Sequence, residues 1–230
     1  MTDEAGPALA RLFYALPLAD PAIEQVSGLV EPLRAAFPRA RWATPRSYHL
    51  TLLFLGDVPA EAGSDVRAAL VAAARSVEPF ECRLEHSGGF GGARRERVAW
   101  LGLDEHAAGL SATMAGVLRA QLARSTVAAV RQAVEAASRS PFRAHLTISR
   151  RAGPELEARL ARALAAGPRI RWRAGSVELL SSRLSASGPD HTVLAREALG
   201  RESGALPSAQ RRGASGGADH DPDAEAVHGP

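Results

Sequence analysis

Apolar residues along this chain recur with two periods, one typical of helices and one typical of strands. A helical stripe runs from about residue 20 to 36, and Asp20-Pro21 at its start is typical of a helix cap followed by a first-turn proline. The same pattern predicts helices at about 60–77, 107–138 and 154–165, the second of them broken near Ser125-Thr126. Short apolar runs predict strands at about 10–16, 48–55, 80–85, 97–103, 144–149, 170–185 and 192–199.

The order of these elements predicts a protein of two similar halves. It reads strand–helix–strand–helix–strand–strand and then helix–strand–helix–strand–strand, which indicates an α+β fold. Residues 88–92, rich in glycine, are expected to form a loop. From residue 200 the sequence loses its periodicity and is rich in Gly, Ser, Ala, Pro and Asp. We therefore expect a folded domain over 8–199 and a disordered tail over 200–230.

The bulk composition is that of an ordinary soluble protein. Of the 230 residues, 46% are hydrophobic and 23% are charged. No apolar run is long enough to predict a membrane span, and the acidic N-terminus does not resemble a secretion signal. The single cysteine, Cys82, excludes an internal disulfide and is expected to be buried. These features predict a cytoplasmic protein that does not associate with a membrane.

Lysine is absent, and all 28 basic residues are arginine. A lysine nucleophile is therefore excluded, and with it Schiff-base chemistry and nucleotidyl transfer through lysine. The phosphate-binding loop of many ATPases also requires its lysine. We expect the protein to act without ATP or any other cofactor.

One three-residue sequence occurs twice, as His49-Leu50-Thr51 and as His145-Leu146-Thr147. Random placement of seven His and seven Thr in 230 residues would give about 0.2 His-x-Thr matches. Both copies lie in predicted strands, where residues two apart share a face and are roughly 6.6 Å apart. His49 and Thr51 are then expected on one face, with Leu50, Leu52 and Phe54 facing the core. His145 and Thr147 are likewise expected opposite Leu146 and Ile148.

Two such strands side by side would place two imidazoles and two hydroxyls around one small volume. Hydrolysis of a phosphodiester needs a base for the attacking water, an acid for the departing oxygen, and donors for the phosphate oxygens. Histidine can be either acid or base near neutral pH. A single His-x-Thr would more simply be a packed or solvent-facing histidine, and the duplication argues against that interpretation. The spacing of the motifs also argues against a metal site.

The sequence resembles the two-histidine phosphoesterase superfamily, and more narrowly the bacterial RNA 2′,3′-cyclic phosphodiesterases, also called 2′-5′ RNA ligases. The resemblance covers about residues 11–199. It rests on five segments: RLFYAL at 11–16, RW at 41–42 with PRSYHLTLLFLGDV at 45–58, RVAWLG at 97–102, PFRAHLTISR at 141–150 and LSSRLSASGPDHTVL at 180–194. Departures from the usual pattern of this family occur at Leu53, Ala144 and His191.

The resemblance implies a bilobal fold, with the active site in a cleft between two antiparallel sheets that are flanked by helices. It implies metal-independent hydrolysis of an RNA 2′,3′-cyclic phosphate to a 2′-phosphomonoester, with His49 as proton donor and His145 as proton acceptor. The residues alone do not decide that order. Thr51 and Thr147 would hold phosphate oxygens. Arg150 would assist, although ideal alternation puts it opposite His145, so it requires a bulge or a strand end.

Other residues and other functions remain open at this stage. Arg94, Arg95 and Arg97 could follow an RNA backbone, although a solvated loop is the simpler interpretation. Phe13 and Trp42 could stack a base, but packing is the simpler interpretation for both. The substrate could be a different cyclic nucleotide or a 2′-5′ linked oligonucleotide, or the protein could bind RNA ends without catalysis. We expect a monomer that acts on RNA ends or on small cyclic nucleotides.

Overall fold

The computed structural model describes residues 9–91, 97–185 and 188–200. The helices are α1 Asp20–Ala36, α2 Gly63–Ala74, α3 Glu105–Leu122, α4 Ala128–Ser138 and α5 Pro154–Ala166. The strands are β1 Leu9–Pro17, β2 His49–Pro59, β3 Phe80–Phe90, β4 Arg97–Leu103, β5 His145–Ala152, β6 Arg171–Ala174, β7 Ser176–Ser185 and β8 Gly188–Ala198. The tail predicted from residue 200 lies outside the described residues apart from Gly200.

The eight strands form one antiparallel order, β6-β3-β4-β5-β2-β1-β7-β8. The order has an internal symmetry, because the strands read β2-β1-β7-β8 outward on one side and β5-β4-β3-β6 on the other. The two sets of four meet between β2 and β5, where Leu50 pairs with Leu146. The predicted α+β fold with two similar antiparallel halves is confirmed, and the halves are joined at this pair. We call this junction the seam.

The helices pack on the sheet face opposite the two His-x-Thr motifs. Leu50 and Leu146, which alternate with the motif residues, are fully buried in the main apolar core. Tyr14 of β1 faces the same core, and its hydroxyl donates to the carbonyl of Val66 in α2 at 2.8 Å. Helix α3 contacts β2 on one side of the seam and β3 and β4 on the other. The helical layer therefore supports both halves from behind.

The predicted helices are all present, but α2 is shorter than predicted, covering Gly63–Ala74 within the expected 60–77. Helix α1 spans Asp20–Ala36, as predicted, yet its N-cap is Ala19 and Asp20 lies within the first turn. The break near Ser125-Thr126 is present between α3 and α4. The predicted strand at 170–185 is two strands, since β6 pairs with β3 in one half and β7 pairs with β1 in the other.

Two predictions about glycines are wrong. Strand β2 does not end at Gly56, after the predicted limit of about residue 55; Gly56 lies within the strand at φ +70°, a conformation that glycine adopts without strain. Gly88 and Gly89, expected in a loop, belong to β3. A Cβ on Gly88 would lie 2.5 Å from the Trp100 ring, and one on Gly89 would overlap the carboxylate of Glu157. Glycine is required there because neighbouring side chains cross the strand, and the sequence alone does not reveal those neighbours.

Across the described ranges, no helix combines the length and the apolar character needed to cross a membrane.

Candidate active site

The first motif begins β2 with both polar side chains on one face. His49 and Thr51 are half-buried, whereas Leu50 and Leu52 are buried beneath the sheet. The Nε2 of His49 lies 3.1 Å from the Thr51 hydroxyl. The alternation predicted for this segment is therefore present. We call the sheet face that carries the two motifs the motif face.

The second motif repeats this arrangement in β5. His145 and Thr147 are half-buried, and Leu146 and Ile148 are buried. The Nδ1 of His145 lies 2.8 Å from the carbonyl oxygen of Arg143. A carbonyl only accepts, so Nδ1 donates and the neutral ring has its unprotonated nitrogen at Nε2.

The ring of His49 has an equivalent neighbour. A hydrogen bond to the backbone of Ser47, again two residues before the histidine, raises the pKa of His49 and opposes the effect of burial. Both imidazoles are therefore oriented by the backbone that leads into their own strand. The two rings have equivalent backbone partners because each histidine is the first residue of its strand.

The seam brings the two motifs side by side. Because Leu50 pairs with Leu146 in an antiparallel register, His49 lies on the side of Thr147, and Thr51 on the side of His145. Each imidazole is thus adjacent to the hydroxyl of the opposite motif, and all four side chains are on the motif face. The four predicted motif residues are brought together.

A bulge follows the threonine in each motif strand. Leu52 is the extra residue in β2, because Thr51 pairs with Ala15 and Leu53 with Tyr14. Ile148 is the extra residue in β5, because Thr147 pairs with Trp100 and Ser149 with Ala99. A single extra residue reverses the alternation of the strand beyond it.

The bulges decide where Phe54 and Arg150 lie. Arg150 is exposed on the motif face, which ideal alternation would forbid, so the bulge required for its proposed role is present. Phe54 has the equivalent place in β2. The prediction that Phe54 faces the core is wrong: its side chain is 44% exposed, and the guanidinium of Arg11 lies 5.2 Å from its ring centroid.

Burial, reinforced by the positive charges on the motif face, keeps the imidazoles neutral in the free protein. Burial lowers the pKa of His49 to about 4, and the charge of Arg150 acts in the same direction. Burial also lowers the pKa of His145, with further contributions from Arg143 and Arg150. No carboxylate contributes to either shift. The site therefore has an excess of positive charge and suits an anion.

Aromatic rings flank both histidines, and sequence reasoning missed most of them. The Phe13 ring lies 4.9 Å from that of His49. On the other side, Phe90 lies 4.8 Å from His145 and stacks on Trp100 at 5.3 Å. Phe90 was assigned to a loop, and Trp100 follows the pattern of an ordinary buried strand residue. The position of Trp100 beside the second motif becomes evident only from its pairing with Thr147 in the adjacent strand.

A third histidine also lies on the motif face. His191 of β8 is 5.2 Å from His49 and 5.0 Å from Phe13, between ring centroids. Sequence reasoning identified His191 as a departure from the family pattern and gave it no role. Within the described ranges, no group of three or more His, Cys, Asp or Glu side chains is placed to hold a metal ion.

A pocket of about 190 Å³ opens beside the seam. Thr51 and His145 line it from the two motifs, and Phe54 and Arg143 line its sides. Arg119 of α3 forms part of the wall and lies over the ring of Phe142. The pocket thus adds two arginines and an exposed aromatic ring next to the motif residues.

Several other predicted roles are decided by the packing. Arg97 forms a two-point ion pair with Glu157, at 2.6 and 2.7 Å, so its guanidinium is already engaged. Trp42 donates to the carbonyl of Phe37 and packs under Arg34, which supports the packing interpretation. Arg94 and Arg95 lie outside the described residues.

Phe13 and Cys82 are both buried. Phe13 is 2% exposed and packs with Ala15 and Leu180 beneath His49, which supports packing over base stacking. Cys82 is fully buried, as predicted, and burial raises the pKa of its thiol to about 12. An un-ionised, inaccessible thiol of this kind has little nucleophilic reactivity.

Comparison with protein families matches residues 19–185 to the 2′-5′ RNA ligase superfamily. The chain belongs to this family. A Thermus thermophilus relative named RNA 2′,3′-cyclic phosphodiesterase is 33% identical over 209 residues, 84% of this chain and 92% of that protein. A Geobacillus stearothermophilus relative of the same name is 31% identical over 139 residues, which span 60% of this chain but only 41% of that protein.

Solved structures of the family share this fold. The crystal structure of Escherichia coli LigT complexed with 3′-AMP has a TM-score of 0.61 and 27% identity, over 84% of this chain and all of LigT. The part of our chain that matches LigT thus corresponds to a whole family member. The resemblance first inferred from the His-x-Thr motifs and their flanking segments is confirmed.

Proposed function

We propose that this protein hydrolyses RNA 2′,3′-cyclic phosphodiester ends to 2′-phosphomonoesters without a metal ion. The observation that carries the proposal is the pairing of two His-x-Thr motifs across the seam, with Arg150 on the same face. The names of the curated relatives support this enzyme class. We assign the activity to the domain predicted over 8–199.

His145 is the proton acceptor in this mechanism. Its Nδ1 donates to the carbonyl of Arg143 at 2.8 Å, so Nε2 has the lone pair that takes a proton from the attacking water. A backbone carbonyl as the fixed partner keeps the ring in one tautomer throughout the reaction. The water oxygen then bonds to phosphorus as the bond from phosphorus to the 3′ oxygen breaks.

His49 is the proton donor and delivers its proton to the departing 3′ oxygen. The pKa of its ring is about 4 in the free protein, mainly because of burial, so the ring must gain a proton when substrate binds. A bound cyclic phosphate brings a negative charge to within a few ångströms, which raises the pKa of a neighbouring imidazole. Substrate binding thus prepares the acid.

Thr51, Thr147 and Arg150 hold the phosphate in this proposal. The hydroxyls donate to non-bridging oxygens, and Arg150 adds a positive charge to compensate the negative charge of the transition state. The pocket lined by Phe54, Arg119 and Arg143 suits the nucleotide that carries the phosphate. A complex of LigT with 3′-AMP is known in this family, which supports a nucleotide ligand. The cytoplasmic location and the monomeric state remain predictions.

The test is incubation of the protein, with EDTA present, with an oligonucleotide that ends in a 2′,3′-cyclic phosphate. Phosphorus NMR should detect a 2′-phosphomonoester. A 3′-phosphate would contradict the assigned leaving group, and loss of activity with EDTA would contradict metal independence. Tight binding without turnover would support a non-catalytic RNA-end binding module. If the protein hydrolyses only other cyclic nucleotides or 2′-5′ linkages, the proposed substrate is wrong and the enzyme class is kept.

A further inference from the structure

His191 lies on an edge strand but reaches the first motif on the motif face. Strand β7 pairs with β1 from Glu178 to Ser181 and no further. The β7–β8 hairpin continues beyond that point, with Ser182 paired to His191. Strand β8 contacts the short 3-10 turn Pro45–Ser47, which leads directly into His49. The hairpin therefore curls over the motif face and carries His191 to the first motif.

Three rings form a closed cluster at that point. The Phe13 centroid is 4.9 Å from that of His49 and 5.0 Å from that of His191, and the two imidazoles are 5.2 Å apart at 86°. His191 makes edge-to-face contacts with both other rings, and such contacts restrict its orientation. His191 is thus held beside the proposed proton donor.

The surroundings of His191 favour one neutral tautomer. Its Nδ1 is buried and has no hydrogen-bond partner in the part of the chain that the structure describes. An unpaired acceptor is tolerated in such a place more readily than an unpaired N–H donor, so the proton resides on Nε2. Burial also lowers the pKa of His191, and the charge of Arg150 contributes, while Asp190 has the opposite effect. In the free protein the ring therefore presents an Nε2–H donor next to an anion site.

We propose that His191 is a further substrate-binding residue whose Nε2–H donates to an oxygen of the phosphate group held between the two motifs. This role rests on the proposed function. It differs from the roles of His49 and His145, because His191 keeps its proton through the reaction. Its Nε2–H would hold the phosphate while the other two imidazoles exchange protons.

Two substitutions separate hydrogen bonding from ring packing. His191→Phe retains an aromatic ring against Phe13 and His49 but removes the donor, whereas His191→Gln retains an N–H donor and removes the ring. His106→Phe is the matched control, because His106 is exposed at the start of α3. The dissociation constant for inorganic phosphate, and KM and kcat for the cyclic phosphate, are measured for each variant.

We expect His191→Phe to weaken phosphate binding by at least about tenfold, with a similar rise in KM, and His191→Gln to restore most of the affinity. His106→Phe should match the wild type. Unchanged phosphate affinity in His191→Phe would overturn the proposal. Equal losses in both His191 variants would also overturn it, because packing would then be the cause.

A measurement on the wild-type protein avoids any folding defect of the variants. Nitrogen-15 NMR of the histidines with inorganic phosphate bound should find His191 protonated at Nε2, and a neutral Nδ1–H tautomer contradicts the proposal. The two proposals can fail separately. Phosphate binding that depends on His191 without hydrolysis would reject only the proposed function, and hydrolysis unaffected by His191→Phe would reject only the role of His191.

Discussion

Replacement of His49 by glutamine should change how the stability of the protein depends on pH. Burial lowers the pKa of the folded ring from 6.5 to about 4. Between these values the unfolded chain binds a proton that the folded protein does not, so wild-type stability falls as the pH decreases. Glutamine does not titrate, and the variant loses this contribution to the pH dependence.

The size of the effect follows from the shift in pKa. A depression from 6.5 to about 4 corresponds to about 3 kcal/mol of wild-type stability lost between pH 7 and pH 4 through this ring alone. The carboxylates titrate in the same range, but they are common to both proteins. The difference in unfolding free energy, wild type minus His49→Gln, should therefore fall by about 3 kcal/mol over this interval.

Urea denaturation followed by circular dichroism at several pH values measures that difference. His106→Gln is the control, because it makes the same replacement at an exposed histidine at the start of α3. A constant difference for His49→Gln would refute the reasoning. The ring would then be in water, and the enclosed site described here would be wrong.

Three further predictions concern catalysis, charge and packing. His49→Ala and His145→Ala should each lower kcat by about 10²–10⁴-fold with little change in the folded spectrum, since they remove the acid or the base; near-full turnover in steady-state assays would contradict the assignments. Arg150→Gln should raise the pKa of both motif imidazoles, because it removes a positive charge that lowers them; proton NMR titration checks this, and unchanged values would place the guanidinium elsewhere. Gly88→Ala should cost about 1–3 kcal/mol of unfolding free energy, because its Cβ would lie 2.5 Å from the Trp100 ring. The control Gly109→Ala, with open space around it in α3, should not destabilise.

The sequence predicts the elements and the motif residues well because both depend on local patterns. Helix α1 has its predicted limits, and the polar and apolar residues of each motif alternate as strand geometry requires. The bulges could not be predicted in this way, because a bulge depends on how a strand pairs with its partner and not on the sequence of the strand alone. That is why Phe54 was assigned to the core, and why Arg150 could only be placed conditionally.

The third histidine shows a different limit of sequence reasoning. His191 is more than 140 positions from His49 in the chain, and no periodicity connects the two. Their contact depends on the curl of the β7–β8 hairpin over the sheet, a long-range property of the fold. The sequence did show a histidine where the family usually has another aromatic residue. That departure marks the position as unusual but does not say what the histidine does.

The single residue pair at the seam has a mechanical consequence. The segment that leads into β2 adds a second connection between the halves, because Ala43 N–H donates to the Ile148 carbonyl and Arg150 N–H donates to the Arg41 carbonyl. A rotation of the halves about Leu50 and Leu146 would change the spacing of the two imidazoles, and this connection restrains it. Helix α3, which contacts strands on both sides, restrains that rotation. The spacing of the two imidazoles therefore depends on contacts away from the motif face, and we expect substitutions there to change turnover without touching any group that meets the substrate.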